Sequence, residues 1–133
     1  MNQIDLDDIE VASSSVVRAA ARDFATALAE TPQFKAFEST YKALKDDASA
    51  LQALSAYQEK AKSLRALLML NAVSEVDRTE LERLKNEYMT RSTVQACAVA
   101  ESELTALCHQ TAGMISGAIG LNYAASCGAS CCG

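Results

Sequence analysis

Apolar residues return along this chain every three or four positions, and no stretch alternates in the period-two manner of a strand. Val17, Ala20, Phe24 and Leu28 fall on one face of a first helix running from near Ser13 to Ala29. Thr31-Pro32 ends it and opens the next, with Thr as N-cap and Pro at the first helical position. Phe34, Phe37, Tyr41 and Leu44 make the stripe of the second helix, which stops at Lys45-Asp46-Asp47, where an Asp caps the third. Leu54, Ala61 and Leu68 are seven apart, as are Tyr57 and Leu64, a heptad-like seam suited to a long antiparallel helical hairpin. Asn71 to Val76 reads as the hairpin loop, and Asp77-Arg78-Thr79-Glu80 resembles a capping box. The fourth helix then points Leu81, Leu84 and Tyr88 inward. The fifth is capped by Ser92 and ends near Ile119, where Gly120 supplies the left-handed turn. Its inward face carries Val94, Cys97, Leu104, Cys108 and Ile115. The expected fold is all-α, a bundle of about five helices round the hairpin. Residues 1–120 form the helical domain and residues 121–133 a flexible cysteine-rich tail.

A weak echo at an offset of 60 aligns Phe34-Lys35-Ala36-Phe37 and Leu44 with Val94-Gln95-Ala96-Cys97 and Leu104. It suggests equivalent places for the second and fifth helices around the hairpin.

Composition narrows the function. The 133 residues carry a net charge of −5, and Lys and Arg are mixed with acids, so the basic face of a nucleic-acid binder is absent and no direct nucleic-acid contact is expected. The acidic start, Met1 to Asp8, lacks the pattern of a signal peptide, which points to the cytoplasm. From Leu104 onward there is no Asp, Glu, Lys or Arg, but His109, Gln110, Thr111, Ser116 and Asn122 interrupt the stretch. It reads as a buried or shared helix, and membrane insertion is not expected. One histidine and scattered carboxylates offer no catalytic residues, so a non-enzyme is expected.

The candidate chemistry lies in the tail. Cys127, Cys131 and Cys132 follow the last helix in a C-x3-C-C spacing among small residues. In a reducing compartment such thiols point to metal or redox roles, and the odd total of five cysteines rules out complete pairing within one chain. Zinc and a [4Fe–4S] cluster each want four ligands, so one tail is short by one, to be completed by another chain or a small molecule. Cys97 and Cys108, about 16 Å apart along one helix face, read as buried structural thiols. His109 reads as a solvent-facing or interface residue. Gly113-Met114-Ile115-Ser116-Gly117 is a small-xxx-small pattern that suits a close helix crossing, with Gly113 and Gly117 at the interface of a homo-oligomer, most simply a dimer.

Phe24 to Ala29, the junction Glu30-Thr31-Pro32-Gln33-Phe34-Lys35-Ala36-Phe37 and the piece Thr40-Tyr41-Lys42-Ala43-Leu44 resemble the first half of the YlbF/YmcA family of bacterial cell-fate regulators. Leu51 to Lys60 and Ala100-Glu101-Ser102-Glu103-Leu104 extend the likeness over about residues 13 to 119, and some relatives end in a Gly/Cys-rich tail. The resemblance implies a non-enzymatic regulator acting in complexes that associate with the endoribonuclease RNase Y, influence mRNA processing and developmental pathways, and bind iron–sulfur clusters. Two other readings stay open: a carrier of zinc or copper(I) through soft thiolates, or a helical leader whose tail is a substrate for peptide-modifying enzymes.

Overall fold

The computed structural model describes residues 13–123. Among them there are six helices and no strand: α1 Ser14–Ala29, α2 Pro32–Asp46, α3 Ala48–Ser63, α4 Arg65–Met69, α5 Glu75–Met89 and α6 Ser92–Ile119. The all-α expectation holds.

Local chemistry explains most boundaries. Thr31 accepts a hydrogen bond from the Phe34 backbone N–H (3.2 Å), while its hydroxyl donates to the Leu28 carbonyl (2.7 Å). One side chain thus closes α1 and opens α2, and Pro32 takes the first-turn position where no N–H is needed. Asp47 caps α3 by accepting from the Ala50 N–H at 3.0 Å. Gly120 ends α6 with φ 72°, and its N–H reaches the Ser116 carbonyl.

Three boundaries differ from the expectation. The third helix is interrupted at Leu64 (φ −97°, ψ 2°), so that residues 48–69 form α3 and α4 and the helices number six. Leu64 is buried at this break, which no Gly or Pro announces. The following helix begins two residues before Asp77, because Ser74 is its cap. Asp77 sits at the third helical position, donates its N–H to the Ser74 Oγ (3.2 Å) and accepts from that hydroxyl (2.8 Å). The cap is therefore Ser74, three residues upstream of the expected one, and the Asp77 carboxylate supports it through the Ser74 hydroxyl rather than through the backbone N–H of a full capping box. Arg91, not Ser92, occupies the cap position of α6 and makes no side-chain cap bond.

Two helix pairs dominate the packing: α2 lies on α6, and α3 lies on α5. Asp47 couples them. Besides capping α3, it accepts from the Thr93 hydroxyl at the start of α6 (2.7 Å), and the Arg91 guanidinium meets Ser49 alongside. Near the other end of α3, Lys60 bridges Asp77 of α5 at 2.7 Å.

Among the described residues the buried ones are Ala50, Ala53, Leu64, Val94, Cys97 and Ala100. Four of the six are alanine or cysteine, and the larger inward residues, Phe34, Phe37, Leu44, Leu54, Leu81, Leu84, Tyr88 and Leu104, are only half-buried around them. α1 contributes no buried residue; of its predicted stripe only Leu28 is half-buried, while Val17 and Phe24 are exposed. The buried residues of α6 all lie in its first third.

Hydrogen bonds from the Ala50 N–H and then the Thr93 hydroxyl hold the Asp47 carboxyl below its ordinary range. The Lys60 ammonium, followed by the Ser74 hydroxyl, does the same for Asp77. A depressed folded-state pKa gives stability that is present above the unfolded value, about 3.9, and is lost as pH falls through the folded value. The thermal midpoint is therefore expected to drop as pH is lowered from about 5 to about 2. In Asp47→Asn the amide still caps α3, so the midpoint at neutral pH should fall modestly and its acid dependence should flatten. Calorimetry across that range checks this; an unchanged acid dependence would contradict the role given to Asp47.

Candidate functional site

The unpartnered halves of α1 and α6 face one another across a groove of about 410 Å³. Ala20, Ala21 and Phe24 form one wall, and Cys108, Thr111, Ala112 and Ile115 form the other. The α6 residues are spaced 3, 4 and 7 apart, one face of the helix. Tyr123 lies at the groove after the chain turns at Gly120, and its backbone N–H donates to the Ser116 Oγ (3.1 Å). No charged side chain lines the groove. Phe24 stays 45% exposed, so the two helices leave space between them. The site can hold an apolar surface; its one thiol is Cys108, and no His, Lys, Asp or Glu lines it to serve as a base.

Cys97 and Cys108 part company here. Cys97 is buried at 6% exposure in the α2–α6 region, as its stripe position predicts. Cys108 is exposed, contrary to the expectation of a buried structural thiol. The face was identified correctly, but what covers Cys97 does not extend three turns further along α6. His109 is exposed, next to the groove wall.

Gly113 and Gly117 stand elsewhere on α6. At about 100° per residue they lie roughly opposite the line Cys108–Ala112–Ile115. A Cβ built on either glycine meets nothing within 4 Å. Among the described residues no helix crosses closely there.

Cys127, Cys131 and Cys132 lie outside the described residues. Among the described residues no group of three or more His, Cys, Asp or Glu could hold a metal ion.

The groove was not foreseen as a site. Its signal in the sequence is the first-helix stripe, of which Ala20 and Phe24 line the groove.

A family model described as "Control of competence regulator ComK, YlbF/YmcA" matches residues 17–120. The chain belongs to the YlbF/YmcA family. Searches of curated proteins and of solved structures give no match. The family match begins within α1 and ends at the Gly120 cap, so both walls of the groove fall inside the YlbF/YmcA region, whereas the tail cysteines fall beyond it. The family description is that of a regulator.

The two thiols should respond differently to substitution. Cys97→Ser puts a hydroxyl among buried apolar groups and is expected to cost about 1–3 kcal/mol. Cys108→Ser should cost little in the isolated chain. Urea unfolding of both variants measures this, and equal costs would contradict the burial difference.

Proposed function

We propose that this YlbF/YmcA family member is a non-enzymatic regulatory adaptor that works as a homo-oligomer, most simply a dimer, and contacts further proteins through its helical surface. The observation that carries this reading is the poor burial of the single chain. α1 buries nothing, and α6 buries nothing beyond Ala100. A 16-residue helix gains most of its stability from packing and is marginal alone in water. The uncharged half of α6 presents the apolar groove wall on one side and the Gly113/Gly117 pair on the other, two faces on which partner helices can sit.

In the same reading, regulation is of RNase Y-dependent mRNA processing and the developmental pathways it serves. Family membership supports this. The tail thiols Cys127, Cys131 and Cys132 are the proposed ligands of an iron–sulfur cluster. The donor set is chemically suited, being soft thiolates, and is one short of four, so binding is tied to assembly. A bound cluster would supply redox sensitivity.

Light scattering tests the assembly. At tens of micromolar the wild type should give the mass of an oligomer, and Phe24→Asp or Ile115→Asp should reduce it. Gly117→Leu adds bulk where the chain itself leaves space, so a loss of association would report on a partner helix at that face. A monomeric wild type would overturn the reading. Anaerobic purification with metal and sulfide analysis tests the ligands. Wild type should carry iron and a broad visible absorbance, and the triple change of Cys127, Cys131 and Cys132 to Ser should carry none while keeping its helicity. Zinc or copper(I) without colour would favour a metal carrier. An intact-mass shift in material from the native host would favour a modified tail.

A further inference from the structure

The connection between α3 and α5 places an apolar turn at the outer end of the helix pair. Leu67, Leu68, Met69 and Leu70 are consecutive and 40%, 46%, 80% and 75% exposed, and Val76 across the turn is 80% exposed. At about 100° per residue, four successive side chains at the end of α4 point to all sides of the helix axis. Asn71, with φ 50°, reverses the chain directly after them. The heptad seam had assigned Leu68 to the interior of a long hairpin; the break at Leu64 turns it outward.

Charge is distributed unevenly around this tip. Lys60 and Asp77 neutralise one another. In the segment from Lys60 to Arg78 the other charged residues are Lys62, Arg65 and Arg78, the last beside Leu68 and Asn71, against one acid, Glu75, and none of these four takes part in an ion pair among the described residues. Three cations against one acid give a local excess of positive charge on a chain whose net charge is −5.

We infer that the α4 turn is a peripheral membrane contact, in which Leu67, Met69, Leu70 and Val76 enter the interfacial layer of an anionic lipid surface while Lys62, Arg65 and Arg78 meet its headgroups. Two physical features favour lipid over a protein groove. Side chains that radiate in all directions are matched by a fluid apolar layer, whereas a groove accepts one face. Cations ringing an apolar tip are the complement of headgroups above acyl chains. The contact lies on the surface, since no helix among the described residues is long and apolar enough to cross a membrane. It is independent of the tail cysteines and of the groove between α1 and α6.

Co-sedimentation of the full chain with two kinds of vesicle tests the proposal: phosphatidylcholine mixed with phosphatidylglycerol, and phosphatidylcholine alone. Wild type should bind the mixed vesicles and bind the neutral ones at least several-fold less. Met69→Asp with Leu70→Asp should abolish binding. Both positions are strongly exposed, so helicity by circular dichroism should be unchanged. Arg65→Glu with Arg78→Glu should lower binding to the mixed vesicles by at least about tenfold, since each cation near an anionic surface is worth about fivefold. The proposal is overturned if wild type binds neither vesicle, if it binds both equally, or if the Asp variant binds like wild type. A lower oligomer mass for the Asp variant, with vesicle binding unchanged, would assign the tip to a contact between copies.

Discussion

Small side chains are the constraint on which this structure depends. α2 meets α6, and α3 meets α5, around Ala50, Ala53, Cys97 and Ala100, with Val94 and Leu64 as the larger buried groups. Alanine lets backbones come close and favours the helix, but it removes little apolar surface from water. Hydrogen-bonded joints supplement that thin core. Asp47 ties the start of α3 to the start of α6, and Lys60 ties α3 to α5. The two helix pairs are held near their ends, and what lies beyond them must find stability elsewhere.

That constraint has consequences at three places. Among the described residues, α1 and the second half of α6 cover one another only loosely across the groove, and neither holds a buried residue there. The α4 turn carries an exposed apolar face, ringed by cations. On the proposed reading, the chain has a small self-contained centre and surfaces completed by partners, as an adaptor would; the family it belongs to is described as one of regulators. Thiol chemistry, where proposed, belongs to residues outside the described ones.

How far the sequence foretold this depends on what each signal measures. Thr31, Asp47 and Gly120 were legible because a cap is a local event, decided by one side chain and its neighbouring backbone. The break at Leu64 was not, because the heptad spacing continues through it and no Gly or Pro announces it. Ser74 was passed over for Asp77, although the two side chains act as one cap. Periodicity placed Cys97, Cys108, Phe24 and Leu68 correctly as apolar positions, yet only Cys97 is buried. A stripe records that one face avoids water; it does not record whether the cover comes from the same chain. The groove and the exposed turn escaped notice for that reason.

The central claim is that α1 is stabilised by assembly. Hydrogen exchange of the amides of residues 14–29, followed as a function of protein concentration, tests it most directly. The account predicts strong protection at tens of micromolar and its loss on dilution below the dissociation range, while the α2–α6 amides around Val94 and Cys97 stay protected throughout. Protection of α1 that is equally strong at every concentration would contradict it, because α1 would then be stable within the single chain.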